Sequence, residues 1–120
     1  MIKMLKFAGV PVRDQDAALA FWTEKMGFRV VTDQPMGPGQ RWIEIKPLTG
    51  ETGLALFTPE GHEGRIGQFQ SLSFRCEDAE KEYAELKAKG VEFDGPPKKA
   101  SWGTFVIFRD PDGNKFVLGS

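Results

Sequence analysis

One cysteine, one histidine and one tyrosine in 120 residues leave little of the usual reactive chemistry. The lone thiol, Cys76, can form no disulfide within the chain, and a reducing, cytoplasmic setting is expected. Cys76 ends an alternating strand pattern, where a free cysteine ordinarily packs as a small hydrophobe rather than acting as a nucleophile. His62 stands between Glu60 and Glu63 in a polar loop and is read as solvated, with no organised partner set for base or ligand work. An excess of charge of either sign is missing too. Sixteen Lys and Arg against 17 Asp and Glu give a net charge of −1, so there is no basic field to hold nucleic acid. No apolar run approaches the roughly 20 residues of a membrane-spanning helix, and no membrane partner is expected. The opening MIKMLKFAGV is too short and too soon interrupted to read as a secretory signal. The proline- and glycine-rich DQPMGPGQ (33–40) is no phosphate loop, because no Gly-Lys-Ser/Thr follows it and no helix opens from it.

What the chain does have is an internal repeat. AGVPVRDQDAALAFWTEKMGFRV (8–30) lies over LSFRCEDAEKEYAELKAKGVEF (72–93) at an offset of 64, pairing Asp14 with Asp78 and Asp16 with Glu80. Each copy reads strand, helix, strand. Asp14 and Asp78 are expected N-caps, and Gly27 and Gly90 are expected helix stops. At an offset of 62, RWIEIKP (41–47) lies over GTFVIFR (103–109) and LALF (54–57) over FVLG (116–119). The chain is therefore βαβββ twice, joined by TPEGHEGRIGQ (58–68). The last connection, Asp110-Pro111-Asp112-Gly113, fits a type I turn followed by a glycine at positive φ, which fixes the register of the closing strand.

Each unit must bury one sheet face under its helix. Period-two alternation assigns to the covered face Ala8, Val10, Val12, Ile43, Ile45, Leu54, Leu56, Leu72, Phe74, Cys76, Phe105, Ile107, Phe116 and Leu118. The other face is mixed. Its candidate groove residues are Phe7, Trp42, Ala55, Phe57, Ser71, Ser73, Arg75, Phe108 and Val117, with Trp102 just before its strand. Such a face either lines a ligand groove by stacking and desolvation or packs against another surface. Glu44 falls on it between Trp42 and Lys46. A carboxylate in a partly apolar groove can serve as a general base, and Glu44 is the one candidate catalytic residue; an ion pair or an exposed strand residue is the alternative.

The paired βαβββ units, the Asp-capped AFWTEKMGF segment, the ELKAKGVEF segment and the DPDGN hairpin together resemble the vicinal oxygen chelate superfamily. That superfamily includes glyoxalase I, extradiol dioxygenases, fosfomycin-resistance enzymes and bleomycin-resistance proteins. The resemblance covers essentially the whole chain. It implies an α+β fold, two βαβββ modules forming one glyoxalase/bleomycin-resistance-like domain over 1–120 with a U-shaped mixed sheet. Module one is expected at about 1–58, the linker at about 58–68 and module two at about 69–120. It also implies a homodimer, since members commonly pair.

In the metal-dependent members a divalent ion in the groove chelates vicinal substrate oxygens and acts as a Lewis acid. Carried over position by position, the ligand pattern lands on Phe7, Ala55, Ser71 and Val117, none of them a useful divalent-metal ligand. The expectation is thus a small-molecule-binding protein with no metal and no cofactor, holding an apolar or planar ligand in an aromatic-lined groove. A glyoxalase-like lyase or isomerase, with a relocated metal site or with Glu44 as base, is one alternative. A structural or interaction module whose groove is filled by its own side chains is another.

Overall fold

Two aspartates start the two helices, and each helix belongs to its own unit. In a computed structural model that describes all of residues 1–120, the units are Met1–Ile66 and Gly67–Ser120. The expected linker thus falls mostly within the first unit, where a 3-10 turn, Glu63–Arg65, organises it.

The first unit runs β1 (Phe7–Pro11), α1 (Gln15–Ala20), β2 (Arg29–Pro35), β3 (Arg41–Lys46) and β4 (Gly53–Phe57). The Asp14 carboxylate accepts from the N–H groups of Asp16 and Ala17, satisfying donors that a helix start leaves without partners. The helix continues into a π-turn, Phe21–Lys25, in which Met26 N–H donates to the Phe21 carbonyl. Trp22 in that turn is fully buried, with the rings of Phe21 and Phe28 edge-on at 5.4 and 5.0 Å. Strand order is β1-β4-β3-β2, with β1 parallel to β4 and the other pairs antiparallel. Gln15 is buried and donates to the carbonyls of Arg41 (2.7 Å) and Leu56 (2.9 Å), fastening the helix start onto β3 and β4. Val10, Ile43, Ile45 and Leu56 fill the sheet side of the core at 0–1% exposure, each worth about 1.5–3 kcal/mol of burial.

The second unit runs β5 (Phe69–Arg75), α2 (Ala79–Ala88), β6 (Glu92–Phe93), β7 (Lys98–Ala100), β8 (Gly103–Arg109) and β9 (Lys115–Gly119). Asp78 caps α2 as Asp14 caps α1, through the N–H groups of Glu80 and Lys81. Strand order is β5-β9-β8-β6, and β7 also pairs with β8. The repeat predicts one strand before β8; the structure has two short ones. Gly95, Pro96 and Pro97 interrupt it, since proline has no N–H to give the ladder.

One face assignment is corrected. Alternation put Phe108 in the groove and Phe105 and Ile107 under the helix; β8 faces the other way. Phe108 pairs directly with Phe116, stacks on it at 5.2 Å, contacts Phe74 at 6.0 Å and is 0% exposed. It also pairs with Phe93, whose ring packs edge-on against Tyr83 of α2 at 4.8 Å. The physical reason lies in the repeat. Ile43 and Ile45 are equivalent to Val106 and Phe108, so this strand is 63 residues from its partner, not 62. A one-residue slip exchanges every side chain between faces.

The closing hairpin is fixed by a buried network. Gly113 N–H donates to the Asp110 carbonyl and Asp110 N–H to the Asn114 carbonyl, both at 3.0 Å, with Gly113 at φ +80°. The Asp110 carboxylate accepts from the N–H groups of Asp112 and Asn114 and from Asn114 Nδ2, all at 2.9 Å. Asn114, 0% exposed, accepts through Oδ1 from Gly67 N–H (2.7 Å) and Gln70 Nε2 (2.9 Å), tying the turn to the start of β5.

Candidate functional site

The open face of the first unit carries five of the groove-side residues. β3 brings Trp42 and Glu44, β4 brings Ala55 and Phe57, and β1 brings Phe7. The register sets Glu44 beside Ala55 and Ala55 beside Gly9 in one row across three strands. The rings of Phe7 and Trp42 meet edge to face at 5.3 Å across β4, and Ala55, on the strand between them, is 2% exposed. A methyl group leaves room for the two rings to meet; a larger side chain there would hold them apart. Trp42 Nε1 donates to Glu44 Oε1 at 2.8 Å, so the indole is held by its edge-to-face contact with Phe7 and, at its nitrogen, by a carboxylate. Phe57 leans toward β1, where a Cβ on Gly9 would stand 3.0 Å from its Cε1, and the Arg65 guanidinium lies 5.7 Å from its ring centre. Phe7, Trp42, Glu44 and Phe57 are all half-buried.

The open face of the second unit is of another kind. Ser73 and Arg75 on β5 are exposed and pair with Val117 and Gly119 on β9. Ser71 sits in an irregularity: the four steps of β5 from Phe69 to Ser73 match only two of β9, from Lys115 to Val117, and Ser71 takes φ +56°. Trp102, 65% exposed, stacks on Phe105 at 5.3 Å. Phe105 and Ile107, which alternation missed, occupy this face in place of Phe108. The hairpin held the signal that finds them. Counting back from the Asp110–Asn114 turn pairs Ile107 with Val117 and Phe108 with Phe116, and directly opposed residues share a face.

Charges are paired near the edges of both units. Asp33 and Arg41 form a two-bond pair at 3.1 and 2.7 Å, and Asp16 also contacts Arg41. The hydrogen bonds from Arg41 hold the Asp33 carboxyl below its ordinary range. Asp94 bridges Arg109 (2.6 Å) and Lys115 (3.0 Å), and the bond from Arg109 first, then that from Lys115, lowers its pKa. Burial pushes the Asp110 carboxyl up to about 6 and raises the Cys76 thiol, which donates to the Gly119 carbonyl at 3.5 Å. His62 precedes the 3-10 turn in an exposed stretch. No three His, Cys, Asp or Glu side chains converge to hold a metal ion. No helix is long and apolar enough to cross a membrane.

Two sheets, each with one helix behind it and built on a repeated strand-helix-strand plan, define a class of protein. The chain belongs to the Glyoxalase/Bleomycin resistance protein/Dioxygenase superfamily, whose sequence model matches residues 4–118. It is 44% identical over 118 residues to the uncharacterized protein YetH of Bacillus subtilis (strain 168), covering 98% of each chain. A crystal structure of a superfamily member from Sphaerobacter thermophilus DSM 20745 matches with a TM-score of 0.89 at 32% identity, over 98% of this chain and 97% of that one. TnmS3, an antibiotic binding protein from Streptomyces sp. CB03234, matches with a TM-score of 0.84 at 36% identity, over 98% and 95%.

Proposed function

We propose that this protein binds a small planar or apolar molecule, without a metal, on the aromatic face around Trp42. The observation that carries the reading is the preset indole, fixed by an edge-to-face contact with Phe7 and by Glu44 at its nitrogen on a half-buried face. A ring already held in place loses little freedom when a ligand stacks on it, so more of the contact energy appears as affinity. The superfamily's metal mechanism does not fit the residues present. Phe7, Ala55, Ser71 and Val117 stand where ligands are expected, and they supply one phenyl ring, a methyl, a hydroxyl and an isopropyl group. Similarity to an antibiotic binding protein over 95% of that chain supports the binding reading. The same reading takes the chain as cytoplasmic and paired with a second copy.

The test is a titration with 1-aminoanthracene, a neutral planar fluorophore, in buffer without added metal. Saturable binding is expected, and Trp42→Ala is expected to weaken it by about tenfold or more, the loss of one stacked aromatic contact. Circular dichroism should show Trp42→Ala folded, because the indole lies on the open face and not in the core. Absence of saturable binding, or full affinity in Trp42→Ala, overturns the reading.

A further inference from the structure

We propose that this face selects planar aromatic cations, with Glu44 as counter-ion to a positively charged nitrogen on the stacked ring. The inference deepens the binding reading above and rests on it.

Glu44 lies mid-strand on β3, half-buried, in a row with Thr32 of β2 and Ala55 of β4. Its Oε1 accepts from Trp42, a neutral donor, and no Lys or Arg forms an ion pair with it. Lys46 and Arg65 of the same unit make contacts of their own. The Lys46 stem runs against Gly53, where its Cγ and Cε lie 3.3 and 3.6 Å from the position of an added Cβ. Arg65 lies over Phe57. Elsewhere in the same unit an aspartate that meets a cation is paired in full, as Asp33 is with Arg41. Glu44 is thus a partly desolvated carboxylate with one oxygen uncommitted, at the edge of an aromatic platform.

Two interactions then favour the same ligand. An aromatic face attracts a cation through its quadrupole, and more strongly the more the pair is desolvated. A charge-assisted hydrogen bond to the carboxylate is roughly twice as strong as a neutral one. An anion gains neither contact and meets the carboxylate's repulsion, so the face discriminates by penalty as well as by attraction. The ring nitrogen of the ligand must sit at the Glu44 side of Trp42, which also sets the ligand's orientation.

The experiment compares three flat probes of similar size on the intact protein: proflavine (cation), 1-aminoanthracene (neutral) and anthracene-2-carboxylate (anion). In the wild type proflavine is expected to bind about tenfold more tightly than the anion. The ratio of proflavine to 1-aminoanthracene affinity should fall about tenfold in Glu44→Gln, which keeps an acceptor for the Trp42 indole but removes the charge. Added salt should weaken proflavine alone. Equal affinity for cation and anion, tighter binding of the anion, or an affinity ratio unmoved by Glu44→Gln overturns the inference. The two failures separate cleanly. If 1-aminoanthracene binds and charge makes no difference, only the cation preference falls; if no probe binds, the binding reading falls with it.

Discussion

Phe108→Ala is expected to lower the unfolding free energy by about 3–5 kcal/mol, the cost of emptying a fully buried ring site. Phe108 has no exposed surface, and it packs against Phe74 and Phe116 on the helix side of the second sheet. Its neighbour Phe105 is half-buried on the open face and stacks on an exposed Trp102, so Phe105→Ala should cost only about 1 kcal/mol. Denaturant midpoints at constant slope measure both. Since a domain of this size holds about 5–15 kcal/mol in all, the Phe108 change removes a large part of it. Should Phe108→Ala fail to fold, Phe108→Leu keeps most of the volume and should still cost about 1–2 kcal/mol. A Phe105 penalty larger than the Phe108 penalty would show β8 facing the opposite way.

Asn114→Ala is the second large effect, expected at about 3 kcal/mol at neutral pH. The variant leaves a buried carboxylate oxygen of Asp110 and the Gly67 N–H without their partner. Its size should depend on pH. Burial raises the Asp110 pKa to about 6 from an ordinary value near 4. The folded state therefore binds the proton that the unfolded state releases in that interval. The sign follows: the cost of a charged Asp110 is absent below pH 4, grows as pH rises from about 4 to 6, and is fully present above 6. About two units correspond to at most about 3 kcal/mol. The Asn114 amide offsets part of that cost by donating to the charged oxygen. Losing it should therefore matter most at pH 7 and less at pH 5, where Asp110 is largely protonated. A penalty equal at both pH values would mean that Asn114 acts by packing alone.

These two sites also show what the sequence made legible. The caps at Asp14 and Asp78 were readable because an aspartate before an amphipathic run has one dominant local use, and both accept the expected N–H bonds. The DPDGN turn was readable for the same local reason. The face of β8 was harder, because Phe105, Val106, Ile107 and Phe108 are all apolar and alternation has no polar residue to lock onto. The repeat then supplied an offset that was one residue short. The turn, taken as a ruler, gives the right answer, since Arg109 and Lys115 flank it as a pair.

In the candidate site, the positions of Trp42 and Glu44 on one strand face followed from their spacing. Their hydrogen bond did not, because it depends on side-chain torsions that spacing leaves free. The contact of Phe7 with Trp42 likewise needed the parallel pairing of β1 with β4, a connection between segments some 46 residues apart by their register (Phe7 with Gly53). Ser71 shows a further limit. Nothing in FQSLSFR announces the irregularity that puts Ser71 at positive φ.

A small molecule is expected to bind at Trp42 without metal. The most direct test is the 1-aminoanthracene titration run on protein freed of divalent ions by a chelator and again with Ni, Zn, Mn or Fe added back. The same saturable isotherm is expected in both. Binding that vanishes with the chelator and returns with one of those ions would contradict it.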